Sequence, residues 1–305
     1  MRILILGAAG MLGHSLFSGF ARHHEVVGTV RSPSVPAALA ERLEPGVQLI
    51  TGIDALAEHS TIEVIEQVRP DVVVNCIGLV KQHERARHAI PAIEINALLP
   101  HRLALWCERA HCRLIHISTD CVFAGTRGGY RERDQPDAVD LYGRTKALGE
   151  LTEQSHCVTI RTSIIGRELD GRHGLLEWFL HQQGTVNGYR HAVFSGLPTA
   201  ELCSILDQYV LPDPGLSGVY HVSAEPINKY DLLALFRQAY DRDVTVVPLD
   251  EPRIDRSLNS DRFRHRTGFR PPSWERMIAD MASRRQPPVR SPVGAASVRS
   301  GCYDR

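Results

Sequence analysis

The first half of the chain alternates short, continuously apolar runs with longer segments of helical periodicity. The runs are RILILG, EVVGTV and DVVVNCIG, and the segments between them include MLGHSLFSGFARH and STIEVIEQVR. Strands that are apolar at every position are typical of a parallel sheet covered by helices on both faces. The pattern therefore predicts a βαβαβ beginning. Its continuation through RLIHIS and CVTIRTS predicts a doubly wound sheet of about six or seven strands.

The regular alternation ends in the middle of the chain, where turn-rich and amphipathic segments replace it. We therefore predict an α/β protein with a Rossmann-type, doubly wound parallel sheet and a smaller C-terminal α/β substrate lobe. The final segment is rich in Pro, Ser and Arg and lacks apolar periodicity, so we expect it to be disordered. The predicted parts are a Rossmann domain at 1–165 with a return segment at about 192–222, a substrate-binding lobe at 166–191 and 223–285, and a disordered tail at 286–305.

Composition limits the partners and the compartment. The 305 residues are 43% hydrophobic and 23% charged, with a formal net charge of zero. This balance argues against binding nucleic acid or an anionic membrane through bulk charge. Seven cysteines without a C-x-x-C motif, and no apolar span of membrane length, lead us to expect a cytoplasmic protein. The 15 histidines form no spaced ligand set, so we expect no metal.

Three glycines follow the first strand with the spacing G-x-x-G-x-x-G, at Gly7, Gly10 and Gly13. The first permits a tight turn, the second lets the backbone approach a pyrophosphate, and the third allows close packing of helix on strand. The N-terminus of the following helix attracts anions. Because a strand precedes this turn and a βαβ unit contains it, we predict a dinucleotide site.

The end of the second strand indicates which dinucleotide is bound. An acidic residue at this place commonly accepts hydrogen bonds from the ribose 2′-hydroxyl of NAD, but here Arg31 is followed by Ser32. A guanidinium suits a 2′-phosphate, so we predict NADPH, with NADH as the alternative cofactor. A solvated loop arginine is the alternative role for Arg31. Asp54, after the third strand, is either an adenine contact or a cap facing solvent.

A tyrosine and a lysine four residues apart predict acid-base chemistry. The only lysines among the 35 Lys+Arg residues are Lys81, Lys146 and Lys229. Tyr142 and Lys146 lie on one face of a predicted helix. We expect the ammonium to lower the pKa of the phenol and to hold the nicotinamide ribose. Upstream, Ser118 and Thr119 end a strand at the carboxyl edge of the sheet, where a hydroxyl can bind the oxygen of a carbonyl undergoing reduction.

These motifs resemble the extended short-chain dehydrogenase/reductase family, through GAAGMLG, STDCVF and YGRTKALGE. The chain is most similar to the dTDP-4-dehydrorhamnose reductase branch, because RTSIIG, GLPTAEL and GVYHVS follow in that order. The resemblance implies an NAD(P)H-dependent oxidoreductase of deoxysugar or polysaccharide biosynthesis. Its substrate would be a nucleotide-diphosphate 4-keto-6-deoxy sugar, which receives the hydride at the 4-keto group.

The resemblance and the residue arguments together assign the site. Arg256 is the candidate for the diphosphate, with a generally solvated basic lobe as the alternative. The loop NCIGLVKQ departs from the branch at Lys81, which leaves the identity of the sugar open. The predicted catalytic residues are Thr119, Tyr142 and Lys146. The predicted cofactor contacts are Gly7, Gly10, Met11, Leu12, Gly13, Arg31, Ser32, Asp54, Asn75, Cys76, Ile77, Gly78, Asn96, Ser118, Tyr142 and Lys146. The predicted substrate contacts are Lys81, Thr119, Asp120, Tyr142, Thr162 and Arg256.

Two other functions stay open. A sugar-nucleotide epimerase of the same family would retain NAD through its cycle, and Arg31 counts against it. A non-catalytic NADP-binding regulatory subunit would not need the complete set of Thr119, Tyr142 and Lys146. We expect neither a nucleic-acid nor a membrane partner. The sequence leaves the oligomeric state open, with a homodimer as the candidate assembly.

Overall fold

The computed structural model describes residues 1–41, 47–81 and 87–284. The predicted tail at 286–305 lies outside the described residues. The strands are β1 (Arg2–Leu6), β2 (Glu25–Thr29), β3 (Gln48–Ile50), β4 (Val72–Asn75), β5 (Arg113–Thr119), β6 (Cys157–Thr162), β7 (Ile164–Ile165), β8 (Gly184–Tyr189), β9 (Ala192–Phe194), β10 (Leu197–Pro198), β11 (Gly218–His221), β12 (Ile227–Asn228), β13 (Val244–Leu249) and β14 (Ile254–Asp255). The helices are α1 (Met11–Phe20), α2 (Ala37–Ala40), α3 (Glu58–Val68), α4 (Ala89–Ala92), α5 (Leu99–Arg109), α6 (Leu141–Leu148), α7 (Leu175–Leu180), α8 (Thr199–Ile205), α9 (Lys229–Ala239), α10 (Asp261–Thr267) and α11 (Trp274–Ser283).

A seven-stranded parallel sheet organises the first part of the chain. Its strand order is β11-β6-β5-β4-β1-β2-β3. The alternate residues of β1 pack into two separate cores: Ile3 and Ile5 face one, and Leu4 and Leu6 face the other. Both faces of the strand are therefore buried, which is why its sequence is apolar at every position. The predicted doubly wound Rossmann-type fold is confirmed.

The strand order reverses at β1, which lies between β2 and β4. In open parallel sheets, ligands bind outside the carboxyl ends of the strands at such a reversal. Gly7 follows β1 directly, and a Cβ on it would touch the backbone of Cys76 after β4 at 3.4 Å. The glycine turn and the loop after β4 therefore face each other across the reversal.

A smaller set of strands lies outside the large sheet. β13 pairs in parallel with β8, β9 lies between β12 and β14, and β10 pairs with β7. Of the predicted return segment, α8 packs on α1 so closely that a Cβ on Gly19 would collide with the sulfur of Cys203. β11 of that segment extends the large sheet, whereas β9 belongs to the smaller set. The exact boundaries of the two parts stay a prediction.

The segment before α5 is a π-helical turn, Ile93–Leu98, which continues α4 into α5. Extra turns of this kind often mark functional sites because they redirect side chains. Here the turn contains Asn96, whose side chain is buried.

Within 1–41, 47–81 and 87–284, no helix has the length and apolar character needed to cross a membrane.

Candidate active site

The glycine turn has the geometry expected of a pyrophosphate cradle. Gly7 has φ +84°, a left-handed conformation that side chains rarely adopt, and the amide of Gly10 donates to its carbonyl at 3.0 Å. A Cβ on Gly13 would collide with that same carbonyl oxygen. Leu12 is buried in the core, so only its backbone can meet a cofactor. Met11 is half-buried, and its methyl group reaches Gly174 before α7.

The residues predicted to bind the adenosine end lie at the same edge. Arg31 is exposed just beyond β2, and Ser32 is half-buried beside it. The carbonyl of Ser32 accepts from the amide of Gly52 at 2.8 Å, which ties the ends of β2 and β3 together. Asp54 is exposed, and its carboxylate accepts from the amide of Leu56 at 3.1 Å. One oxygen of Asp54 therefore shapes the turn before α3. Both predicted roles, an adenine contact and a cap facing solvent, stay predictions for this residue.

The loop after β4 is held by two buried asparagines. Asn75 accepts from the amide of Ile77 at 3.0 Å and donates to Nδ1 of His116 at 3.2 Å. Asn96 accepts from the amide of Leu79 at 2.9 Å and donates to the carbonyl of the same residue at 3.0 Å. The side chains of both asparagines are therefore occupied with shaping the loop. Any contact of Asn75 or Asn96 with a cofactor acts through the loop that they hold.

The rest of this loop faces the glycine turn. Cys76 and Ile77 are half-buried, and Gly78 is exposed. The γ-carbon of Ile77 would lie 3.0 Å from a Cβ on Gly7. Burial raises the pKa of the Cys76 thiol to about 12, with the Lys146 charge acting in the opposite direction. Cys76 is therefore an uncharged wall of the site near Lys146.

Thr119 and Asp120 lie where β5 ends. The Thr119 hydroxyl donates to Oδ1 of Asp120 at 3.1 Å and accepts from the amide of Cys121 at 3.1 Å. Burial raises the pKa of the Asp120 carboxyl, and the charge of Arg256 acts against that rise. Thr162 ends the neighbouring strand β6 in register with Thr119. The three predicted residues Thr119, Asp120 and Thr162 therefore share one edge.

Tyr142 lies in the first turn of α6, and its phenol meets the end of β5. Burial raises the pKa of this phenol above its ordinary value, and nearby Cys121 adds to the rise. A hydrogen bond with the Thr119 side chain acts in the opposite direction. The prediction that Lys146 lowers the pKa of Tyr142 is therefore wrong for this structure, because desolvation of the phenolate dominates. A phenol that stays protonated suits proton donation rather than proton abstraction.

Lys146 is buried one turn further along α6. Its ammonium donates to the carbonyl of Ile117 on β5 at 2.8 Å. Burial lowers its pKa from 10.5 to about 8, while Glu150 and Cys76 act to raise it. Within the described part of the chain, Nζ uses one donor in this hydrogen bond, whereas an ammonium has three donors. Lys146 is thus directed at the carboxyl edge of the sheet with donor capacity to spare.

Ser118 points to the other side of β5 and belongs to a buried ionic network. Its hydroxyl donates to Oε1 of Glu150 at 2.7 Å. Arg161 holds the same carboxylate through Nε at 2.8 Å and Nη2 at 2.6 Å, and its Nη1 lies 3.2 Å from Nε2 of His221. Burial lowers the pKa of His221 to about 3, so the imidazole is neutral. Successive strand residues face opposite ways, which explains why only Thr119 of the two hydroxyls meets Tyr142.

Lys81 and Arg256 approach the site from two loops. The Lys81 ammonium lies 2.6 Å from Oδ2 of Asp140 and 5.8 Å from the centroid of the Tyr142 ring. Asp140 also caps α6 by accepting from the amide of Gly143 at 2.8 Å. Arg256 donates from Nε to the carbonyl of Phe123 at 2.8 Å, just past Asp120. Both predicted substrate contacts therefore lie next to the predicted catalytic residues.

The sequence reasoning missed four residues of this region. Asp140 was visible as a helix cap two residues before the tyrosine, and Lys229, at the start of α9, as one of only three lysines. Cys121 and Glu150 carried no signal, because a lone cysteine and a surface-type glutamate are ordinary in a sequence. Nowhere in the described part of the chain are three or more His, Cys, Asp or Glu side chains grouped so as to hold a metal ion.

Comparison with known proteins places this chain in a family. Residues 1–286 match the family model described as the RmlD substrate binding domain. The chain belongs to this family. The match covers both the large sheet and the smaller set of strands, and it confirms the resemblance to the dTDP-4-dehydrorhamnose reductase branch of the extended reductases.

The relatives of this RmlD-type chain include an enzyme subunit and a sugar-nucleotide reductase. Methionine adenosyltransferase 2 subunit beta of Danio rerio is 27% identical over 264 residues, covering 82% of this chain and 77% of the relative. The dTDP-4-keto-6-deoxy-D-glucose reductase of Streptomyces niveus is 30% identical over 238 residues, covering 76% of each. A dTDP-4-dehydrorhamnose reductase from Bacillus anthracis, solved in complex with NADP, has a TM-score of 0.74 at 21% identity, covering 93% of this chain and 99% of that one. This last likeness concerns the fold.

Proposed function

We propose that this chain is an NAD(P)H-dependent reductase that transfers hydride to the keto group of a nucleotide-diphosphate sugar. The 4-keto-6-deoxy sugar nucleotides are the substrate class that we favour. The observation that carries the proposal is the meeting of Thr119, Tyr142 and Lys146 at the carboxyl edge of the sheet, opposite the glycine turn. The name of the Streptomyces relative supports the substrate class.

The residues present fit a dinucleotide. The turn at Gly7 and Gly10 leaves backbone open to a pyrophosphate, and a side chain at Gly13 would destroy it. Arg31 is exposed where a 2′-phosphate would lie, which favours NADPH over NADH. The spare donors of Lys146 suit the hydroxyls of a ribose. When bound, NAD(P)H supplies the hydride.

Each catalytic side chain has a separate role in this proposal. Tyr142 donates a proton to the substrate oxygen as the ketone becomes an alcohol, and burial keeps its phenol protonated until then. Thr119 holds the same oxygen; its hydroxyl, which now donates to Asp120, must turn towards the substrate to do so. Lys146 orients the ribose through the donors that its hydrogen bond to Ile117 leaves spare.

The diphosphate of the substrate is assigned to Arg256. Its Nε is fixed by the carbonyl of Phe123, which leaves the terminal nitrogens of the guanidinium for an anion. We expect Arg256→Ala to raise KM for the sugar nucleotide, with a smaller effect on kcat, as for uniform binding of a non-reacting group. An unaltered KM would remove Arg256 from the site. In this proposal the lobe predicted at 166–191 and 223–285 binds the sugar nucleotide.

The decisive experiment is a turnover assay. Purified protein is given NADPH and dTDP-4-keto-6-deoxyglucose, and loss of NADPH absorbance is followed together with the sugar product. One NADPH consumed for each sugar reduced supports the reductase. Tyr142→Phe is the matched control, because it removes the proton donor and keeps the ring. Turnover of the variant at the wild-type rate would contradict the mechanism.

The same assay separates the two other functions. An epimerase would convert the sugar nucleotide without net consumption of NADPH. A non-catalytic regulatory subunit would bind NADPH without turning over any sugar nucleotide. The Danio relative is named as a subunit. The complete set of Thr119, Tyr142 and Lys146 supports a catalytic protein rather than a regulatory subunit.

We also propose a homodimer formed through α5 and α6. Leu105 and Leu148 are exposed apolar side chains on this surface, and Leu98 lies on it two turns before Leu105. His101, between Leu98 and Leu105, donates to the carbonyl of Leu148 at 2.8 Å, so the two helices present one continuous face. Light scattering should give a dimer mass that Leu105→Asp reduces to a monomer. A monomeric wild-type protein would remove the proposal.

A further inference from the structure

The three lysines of the chain converge on the candidate site. Arginine serves nearly everywhere else as the basic residue, since the chain has 35 Lys+Arg and only three lysines. Lys146 lies beneath the site against β5, and Lys81 lies 5.8 Å from the ring of Tyr142. The third, Lys229, comes from the opposite side, at the start of α9.

The small sheet holds Lys229 in position. Asn228 ends β12 and caps α9 by accepting from the amide of Asp231 at 2.9 Å. In the register of that sheet, Asn228 and Asp255 both pair with Val193, one on each side of β9. Lys229 and Arg256 directly follow the ends of β12 and β14, so pairing with β9 fixes their relative position.

The charges facing Lys229 belong to the site. Burial and the nearby Arg256 charge lower the pKa of its ammonium, while Cys121 and Asp120 act to raise it. The ammonium also lies 5.9 Å from the centroid of the Tyr189 ring. Asp120 and Cys121 directly follow Thr119, which holds the substrate oxygen in the proposed mechanism. The register at Val193 places Lys229 about two strand spacings from Arg256, and Arg256 donates to the carbonyl of Phe123, three residues past Asp120. Lys229 therefore approaches the site from the lobe side.

We propose that Lys229 determines sugar specificity by donating hydrogen bonds to oxygen atoms of the sugar ring, across the cleft from Asp120. This rests on the proposed function as a sugar-nucleotide reductase. A compact ammonium with three rotatable donors suits tetrahedral hydroxyl groups at close range. The planar fork of Arg256 suits the diphosphate instead. In this proposal, Lys229 on one side of β9 binds the sugar, and Arg256 on the other side binds the diphosphate.

Binding measurements test this without requiring turnover. Titration calorimetry is done with dTDP alone and with dTDP-glucose, an analogue that has no keto group, on wild type and Lys229→Met. We expect the variant to lose roughly 10- to 100-fold in affinity for dTDP-glucose, as for one or two hydrogen bonds from a charged donor. Its affinities for dTDP and for NADPH should stay within about threefold of wild type.

Two further variants keep the outcome interpretable. Arg237→Met removes an exposed cation from the last turn of the same helix and should leave every affinity unchanged. Lys229→Arg keeps the charge, and we expect it to retain dTDP affinity without restoring binding of the sugar. Equal losses for dTDP and dTDP-glucose in Lys229→Met would reassign the residue to the diphosphate and overturn the proposal. Unchanged binding of dTDP-glucose would also overturn it. Wild-type protein that binds dTDP-glucose but reduces no keto sugar would refute the reductase while leaving the role of Lys229 measurable.

Discussion

Replacing Lys146 by methionine should remove activity and at the same time relieve a cost to stability. Methionine has a similar length and no charge, so it fills the space beneath the site without a buried ammonium. Burial lowers the pKa of Lys146 from 10.5 to about 8 in the folded protein. At about 1.4 kcal/mol for each tenfold change in proton affinity, this difference corresponds to roughly 3 kcal/mol.

The sign of this contribution follows from which state holds the proton. Below about pH 8 both states are protonated, and the folded protein carries the full penalty of burying the charge. Between pH 8 and 10.5 the folded protein loses its proton first, so stability rises with pH. Above 10.5 both states are neutral and the penalty is gone. Lys146→Met has no such group, and its stability should lack this rise.

The variant also loses the hydrogen bond from Nζ to the carbonyl of Ile117. That loss destabilises the variant by about 1 to 3 kcal/mol, which opposes the stability gained at neutral pH when the buried charge is removed. The net change at pH 7 is therefore small, and the dependence on pH is the sharper observable. It is measured by urea unfolding of wild type and variant without NADPH across this pH range. A stability difference that stays constant from about pH 7 to 10.5 would refute the reasoning.

Four other changes test separate parts of the molecule. Tyr142→Phe should fold and bind NADPH while turnover falls about 10²- to 10⁴-fold, measured as kcat; a small fall would exclude the phenol as proton donor. Arg31→Asp should weaken NADPH by roughly 1.5 to 3 kcal/mol more than NADH in fluorescence titrations, and equal losses would make Arg31 a solvated residue. Glu150→Ala leaves Arg161 buried without its counter-ion and should cost about 3 to 5 kcal/mol in urea unfolding; a loss below about 1 kcal/mol would show that the pair is dispensable. Gly13→Ala should weaken dinucleotide binding and cost about 1 to 3 kcal/mol, because the new Cβ meets the carbonyl of Gly7; unchanged binding would mean that α1 can shift.

Local patterns were sufficient for the sheet and for much of the site. Consecutive apolar residues such as those of β1 predict strands buried on both faces, and the spacing of Gly7, Gly10 and Gly13 predicts the turn that follows. Tyr142 and Lys146 are neighbours on one helix, so a spacing of four residues is enough to bring them together. Each of these features is decided within a few residues of chain, where backbone geometry leaves few alternatives.

The electrostatics of the site could not be predicted in the same way. The pKa of Tyr142 depends on how completely other elements exclude water from the phenol, and that desolvation outweighs the helical neighbour that the sequence displayed. Ser118 and Thr119 look equivalent as adjacent hydroxyls. Only the pleat of β5, packed against Glu150, sends Ser118 into the interior and Thr119 to the site.

The sequence by itself determined the parallel sheet, the dinucleotide turn and the helical pair of Tyr142 and Lys146, because each arises from short-range spacing. Tertiary structure alone decided which distant residues join them. Lys229 and Arg256 are brought close together only because β12 and β14 pair on either side of β9. Pairing between strands so far apart in sequence depends on packing of the whole chain, and no local pattern encodes it.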